Sequence, residues 1–457
     1  MKTIQTQEEK FRMMTQSPIP GLVGKLAVPT IISMLITSIY NMADTFFVGQ
    51  IGTSATAAVG IVFPLMSIIQ ALGFFFGHGS GNSISRKLGA KDTEEASQLA
   101  AVGFFLALFT GLCITVLGLI FLNPLAVLLG ATPTSIDYVK EYLGIILIGA
   151  PWMTASLVLN NQLRFQGSAF YAMIGIGTGG ILNMILDPIL IFGFHLGIAG
   201  AAIATIFSQF VSFCLLIRGT CQGGNIRIRF SCFRLSMERL SVIAGGGLPS
   251  LFRQGLGSIS VVALNLAARP YGDTAIAAMS IVSRISFFAA SALIGFGQGF
   301  QPVCGFNYGA KRYDRVREAF WFCMKISVVV LIALAAAGFI FAEPLITCFR
   351  KDDAEVIRIG TRALQLQCIT FPLQSWIIMN NMMLQTIGKT FKASLLAMSR
   401  QGLFFLPAIL ILPLIFGLSG IQYSQPVADV VSFLLALPLG IGTLRELKNN
   451  QTANVEI

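Results

Sequence analysis

The chain has 457 residues, of which 55% are hydrophobic and only 11% charged, with a mean hydropathy of +0.77 and a formal net charge of +11. Soluble proteins carry about 25% charged residues, so this composition excludes an ordinary soluble domain and points to an all-α membrane protein. The basic residues are scattered along the chain and form no single stripe, which argues against a nucleic-acid partner.

The first 17 residues are polar and lack the apolar core of a cleavable signal peptide. Apolar runs long enough to span a bilayer, roughly 20 residues each, then follow in order. They lie at 20–47, 54–83, 94–122, 135–161, 168–192, 197–219, 240–268, 274–303, 314–342, 354–383, 391–416 and 419–444. These runs are too long and unbroken for barrel strands, so twelve transmembrane helices are expected. Pro29, inside the first span, removes a backbone hydrogen bond and clashes with the turn before it. That helix can bend there, which makes Pro29 a candidate gate, or it carries a static kink. Pro249 is expected nearer a helix start. Two short basic turns, RKLGAKD at 86–92 and FNYGAKR at 306–312, read as tight reversals permitted by glycine and anchored by charge.

Several of these elements occur twice. Pro249 lies 220 residues after Pro29, and the same shift carries Gly89-Ala90-Lys91 onto Gly309-Ala310-Lys311 and Asn160-Asn161 onto Asn380-Asn381. Between the copies, the stretch 218–239 holds Gly223-Gly224 and five arginines. The expected organisation is a cytoplasmic tail (1–17), a first lobe (18–220), a cytoplasmic linker (221–239), a second lobe (240–445) and a second tail (446–457). Six spans per copy is an even number, so both copies enter from the same side. The lobes form a parallel repeat about an axis along the membrane normal.

With the N-terminus inside, the inner segments collect Lys2, Lys10, Arg12, Lys25, Arg86, Lys87, Lys91, Lys311 and Arg312 among others, and the linker arginines. The outer segments keep only Lys140, Arg269, Arg350, Lys351, Arg358 and Arg362. That bias puts both termini in the cytoplasm. The eight cysteines show no metal-ligand spacing, and no metal site or organic cofactor is expected. His78 and His195 read as satisfied helix-end residues.

Charge inside a span is costly and marks a functional site by default. Asp44 and Asp187 both fall late in outward-running spans. Asn183 lies one turn before Asp187 on the same helix face. Thr205 and Tyr142 reach the same depth from other spans. At the 220-residue shift Asp44 becomes Leu264, and no acid occupies the stretch around Ala408 that matches Asp187. Carboxylates held by one lobe alone suggest a dedicated ion-coupling site. Two desolvated carboxylates side by side can hold a proton, and oxygen ligands could instead take Na⁺. The alternative is a polar cluster that only ties helices together. In the second lobe, Asp429 is either neutralised by an arginine (Arg284 and Arg400 are at similar depth, Arg253 less deep) or contacts a cation in a central cavity. Gln298 and Gln301 could line that cavity.

Twelve spans in two parallel halves, with LAVP at 26–29, NMADTFFVG at 41–49, RKLGAKD at 86–92 and LNMILDPILIFGFHLGIAGAA at 182–202, resemble the MATE family of multidrug and toxin extrusion antiporters, in its bacterial DinF-like and MepA-like branch. The resemblance implies that Asp44, Asp187, Asn183 and Thr205 bind the coupling ion. It also implies that Tyr142, Asn160 and Asn161 line the first lobe and that Pro29 is the bend that responds to protonation. Such proteins expel amphipathic organic cations in exchange for H⁺ or Na⁺. The NorM-type branch has acids in its seventh and eighth spans, where this chain has Arg253 and Arg284, so a second-lobe Na⁺ site of that kind is not expected. The reading is therefore a secondary multidrug exporter of the bacterial inner membrane, working by rocking lobes, monomeric, with the lipid bilayer and small organic cations as its partners. The alternative is a flippase for a lipid-linked saccharide precursor. A membrane enzyme is disfavoured because the chain carries no metal motif, nucleophile elbow or paired His. A channel is disfavoured because there is no filter-like segment.

Overall fold

The computed structural model describes residues 6–133, 135–349 and 353–455; Lys2, Arg350 and Lys351 lie outside the described residues. It is helical throughout, with no strand among those residues. A short helix α1 (Gln7–Gln16) precedes α2 (Ile19–Ile51), α3 (Thr53–Gly89), α4 (Thr93–Ile120), the short α5 (Leu122–Leu128), α6 (Ile136–Phe165), α7 (Ala169–Pro188) and α8 (Gly197–Thr220). The second set is α9 (Met237–Ala268), α10 (Asp273–Gly309), α11 (Tyr313–Ile340), the short α12 (Ala342–Phe349), α13 (Ala354–Thr386), α14 (Thr390–Met398), α15 (Phe405–Phe416) and α16 (Leu418–Val455). Helices α14 and α15 form one span joined through a π-turn at Ser399–Leu403, and α7 runs into a π-turn at Ile189–Gly193. All twelve expected spans are helices. Among the described residues, eleven are long and apolar enough to cross a membrane. The remaining one, α13, is 33 residues long but diluted by Arg358, Arg362, Gln367, Gln374 and the two asparagines Asn380 and Asn381.

The long helices are apolar on nearly every face, as helices are that sit in lipid or in a protein core. Large apolar side chains such as Phe109, Ile120, Ile340 and Leu414 stand exposed along the outside, where acyl chains would cover them. Inside, small residues set the spacing. On α7, a Cβ at Gly175 would stand 2.4 Å from Leu216 of α8, and one at Gly180 would stand 2.9 Å from Ile36 of α2. Glycines on successive turns thus let three helices approach closely.

The lobes meet along two seams, α3 against α9 and α2 against α10. A Cβ at Gly79 would stand 2.1 Å from the Ile243 carbonyl oxygen, and one at Gly299 would stand 2.5 Å from Ala27 Cα. Thr30 Oγ1 donates to the Gly295 carbonyl at 2.6 Å, and Ser38 and Ser291 share a hydrogen bond at 3.1 Å. At the end carrying the two Gly-Ala-Lys turns, Arg86 donates to the Thr386 carbonyl at 2.5 Å and Thr386 bonds Asn82 at 3.0 Å.

Two local expectations need correction. The left-handed residues in the two turns are Lys91 (φ 61°) and Lys311 (φ 58°), while Gly89 and Gly309 end their helices and serve close approach between the lobes. Pro249 is not near a helix start. It is an interior residue of α9, as Pro29 is of α2, because the polar stretch from Met237 onward is already helical.

Candidate functional site

Asp44 sits in the last two turns of α2, and Tyr40 lies one turn before it on the same face. Asp187 and Asn183 share a face of α7, and Thr205 looks across from α8. Asn183 Nδ2 donates to Asp187 Oδ1 at 3.3 Å and reaches Thr205 Oγ1 at 3.4 Å. Asp44 and Asp187 lie within electrostatic reach of each other, and both act on Tyr40 and Tyr142. Tyr142, fully buried in α6, points its hydroxyl at the Met66 sulfur, 3.9 Å away. The polar groups of this lobe therefore converge laterally as well as in depth. Tyr40 is a member that reading the sequence missed. Its four-residue spacing from Asp44 was the available signal.

Three buried oxygens in this cluster, Asp44 Oδ1, Asp187 Oδ2 and Asn183 Oδ1, have no hydrogen-bond partner among the described residues. Buried polar atoms are nearly always satisfied, so a concentrated set of orphans calls for a ligand. All three are acceptors. The chemistry that satisfies them is a proton or a hard cation with oxygen ligands. No group of three His, Cys, Asp or Glu side chains is present among the described residues, so a bound cation would depend on the Asn and Thr oxygens as well. The chain leaves the α-helical form immediately after this cluster, in the π-turn at Ile189–Gly193. Such bulges are frequent at functional sites.

The second lobe is built differently at the matching place. Leu264, Phe405 and Ile409 pack into one apolar cluster where the first lobe has carboxylates. Its own buried acid, Asp429, is saturated. Arg400 Nε donates to Oδ1 at 2.7 Å and Gln425 at 2.9 Å, while Gln374 and Thr370 donate to Oδ2 at 3.1 and 3.2 Å. Of the two readings of Asp429, the geometry favours internal neutralisation, and the fully buried carboxylate does not face an open cavity. Arg400 lies in the π-turn of the second lobe, which lets it bend toward α16.

The other cavity candidates are spread out. Asn160 donates to the Ala172 carbonyl at 3.0 Å, tying α6 to α7. Asn161 is fully buried, and its oxygen accepts from Arg164 at 2.7 Å, so it supports an arginine and is not open to a cavity. On α10, Gln298 points at the Met34 sulfur at 3.7 Å, and the Gln301 side-chain oxygen is buried without a partner among the described residues. His78 is no helix-end residue. It lies deep within α3, buried between Arg164 and Ser250. His195 does end its segment, with φ at 55° in the connection to α8.

The family described as MatE matches this chain twice, over residues 29–189 and 249–410, and the two matches begin at the repeated prolines. The multidrug export protein MepA of Staphylococcus aureus is 27% identical over 433 residues, covering 94% of this chain and 95% of that protein. The MepA of Staphylococcus haemolyticus is 26% identical over 453 residues, covering 99% of this chain and all of that protein. A solved structure described as the outward-facing conformation of a multidrug resistance MATE family transporter of the MOP superfamily superposes with a TM-score of 0.91. It is 27% identical and covers 96% of this chain and 99% of its own.

Proposed function

The chain belongs to the MatE family of membrane transporters, and from that premise we propose that it exports amphipathic organic cations across the bacterial inner membrane, driven by inward flow of H⁺ or Na⁺ through Asp44 and Asp187. It is a multi-pass multidrug efflux transporter, not an enzyme. The observation that carries the coupling assignment is the group of orphaned acceptors on Asp44, Asp187 and Asn183 in one lobe, set against a hydrocarbon cluster at the matching place in the other. A site that only held helices together would have its hydrogen bonds made.

In the proposed cycle both termini are cytoplasmic, as the basic residues of the inner segments favour. The drug enters the cleft between the lobes from the cytosol or the inner leaflet, and the lobes rock to open outward. Ion binding at Asp44 and Asp187 bends α2 at Pro29 and narrows the drug site. Drug and ion never need to touch, because each only has to prefer a different state. The seams between α2 and α10 and between α3 and α9 are where the lobes would part.

The test is purified protein in liposomes, with dye movement followed under an imposed pH gradient and, separately, a Na⁺ gradient. Asp44→Asn and Asp187→Asn should each abolish gradient-driven dye movement while the protein stays folded and inserted. Undiminished movement in both variants refutes the coupling role.

A further inference from the structure

A second polar centre lies on the α3–α9 seam, and its chemistry is opposite to that of the carboxylate cluster. Arg164 of α6 donates to His78 Nε2 of α3 at 3.0 Å, and His78 Nδ1 meets the Ser250 hydroxyl of α9 at 2.9 Å. Arg253, one turn along α9, reaches the same hydroxyl at 3.5 Å and the Asn381 oxygen at 3.3 Å. A guanidinium only donates, so His78 Nε2 accepts, the ring is neutral, and Nδ1 carries the proton, shared between Ser250 and the Phe74 backbone. Gln385 also donates to Ser250, at 2.8 Å. Gln385, Arg253 and the His78 ring thus all crowd one hydroxyl.

Charge makes the imbalance sharper. Arg164 is 2% exposed, and its Nε has no partner among the described residues. Among the described residues neither Arg164 nor Arg253 forms an ion pair with a carboxylate, whereas the membrane-embedded Arg400 is paired with Asp429. Arginine does not lose its proton in proteins, so these two positive charges persist. A buried cation (Arg164) beside a half-buried one (Arg253), with only neutral partners, is costly unless an anion completes the pair. The chemistry that fits a paired guanidinium centre is an oxyanion, held by forked N–H donors.

We propose that Arg164 and Arg253, joined through His78 and Ser250, form an oxyanion subsite at the floor of the inter-lobe cleft, which takes the carboxylate or phosphate of an amphipathic ligand. The ligand class is then widened from cations to zwitterions, whose cationic part is handled as proposed above. Arg164 belongs to the first lobe and Arg253 to the second, so the site exists whole only while this seam is closed. A ligand bound there favours that state. This inference rests on the export reading only for its choice of ligand.

The test compares rhodamine B, a carboxylate-bearing zwitterion, with its ethyl ester, which keeps the cation and loses the acid. Full-length protein in phosphatidylcholine nanodiscs is titrated with each dye. Loss of a charge-assisted contact of about 1.5–3 kcal/mol weakens binding by roughly ten- to a hundredfold. Arg253→Gln is expected to weaken rhodamine B by that factor and leave the ester unchanged, with Arg253→Lys intermediate. Retained ester binding shows that the variant is folded. Nanodiscs of phosphatidylglycerol distinguish the source of the oxyanion. If a lipid phosphate takes the site, rhodamine B binds more weakly there to the native protein but not to Arg253→Gln. Equal effects of Arg253→Gln on both dyes, or no effect on either together with no response to phosphatidylglycerol, overturn the proposal. Failure of the native protein to bind the ester counts against the cation-export reading and leaves the rhodamine B comparison intact.

Discussion

A Cβ on Gly309 would stand 1.9 Å from the carbonyl oxygen of Arg86, and the relationship is reciprocal, because a Cβ on Gly89 would stand 2.1 Å from the carbonyl oxygen of Phe306. Gly89 and Gly309 are repeat partners, and so are Arg86 and Phe306. Residue i of one copy touches residue j of the other, and j touches i, which is the signature of a two-fold contact. The pseudo-symmetry axis of the molecule therefore passes between the two Gly-Ala-Lys turns. Only a residue without a Cβ lets the helix ends come this close.

Gly309→Ala should force this end of the molecule apart, because the atom it would strike is backbone and cannot rotate away. With spin labels on the exposed Lys91 and Lys311 positions, the inter-label distance should lengthen relative to the native protein. Dye efflux should fall by about tenfold, as expected for a clash of some 1–3 kcal/mol at a tightly packed contact. An unchanged distance distribution would show that the closed end tolerates the methyl group and that the glycine is not required.

Tyr40 and Tyr142 both lie within electrostatic reach of the two aspartates. Tyr142→Phe should reduce ion-driven dye efflux by roughly fivefold, the scale of one neutral hydrogen bond, at unchanged expression. Tyr40→Phe should do the same, and the double variant should fall short of the product of the two, because both act on one site. Full additivity would separate Tyr40 from the carboxylate cluster.

What could be read in the sequence was whatever repeats or whatever is costly. Twelve apolar runs, the 220-residue register and the two aspartates are of this kind, since a charge in a span stands out against its neighbours. Backbone events were not legible. Nothing in Ser399–Leu403 announces a π-turn, yet it carries Arg400, which pairs with Asp429. The short helices α5 and α12 were absorbed into their apolar surroundings, although they begin at Leu122 and Ala342, again 220 residues apart. Helix α1 carries a local start signal. Thr6 and Glu9 form a capping box, the T-x-x-E pattern that starts a helix. His78 looked like an end residue because the apolar run stops near it, but α3 continues to Gly89 on small and polar residues that pack between the lobes.

Arg400→Ala should cost about 3–5 kcal/mol of stability, the penalty for leaving one charge of a buried pair unmatched. Asp429 is fully buried and would keep only its neutral donors, Gln374, Gln425 and Thr370. The double change Arg400→Ala with Asp429→Asn should recover most of the loss, because no uncompensated charge remains. Thermal unfolding of all three proteins in detergent checks this. A double variant no more stable than Arg400→Ala would mean that the arginine acts by packing rather than by charge.

The last expectation concerns α1, which bridges the lobes outside the spans. Lys10 is buried, and its Nζ bonds the Asn225 oxygen in the segment between the two copies; the same oxygen accepts from Ser168 at 2.7 Å. On the other side, Asn307 donates to the Met14 carbonyl at 3.0 Å and Arg315 to the Ser17 carbonyl at 2.5 Å, both from the second lobe. Burial pushes the Lys10 ammonium down to about 7 from an ordinary value of 10.5. Its immediate partners, Asn225 and Ser168, are neutral, and Glu8 and Lys91 border the cavity of about 320 Å³ beside it. A released α1 holds the proton up to the ordinary lysine value, whereas the docked one gives it up from about pH 7. Between those limits the released state binds more protons, so docking strengthens as pH rises and weakens as pH falls toward 7, below which both forms are protonated and the dependence stops. In a cysteine-free background, a spin label at Glu8 should become less mobile as pH is raised from about 7 to 9.5, a window set by this lysine shift. Lys10→Met should remain docked throughout, because it fills the same space without a charge to desolvate. If the label mobility of the native protein is flat across that range, or if Lys10→Met retains the slope, the lysine does not control how α1 holds the lobes.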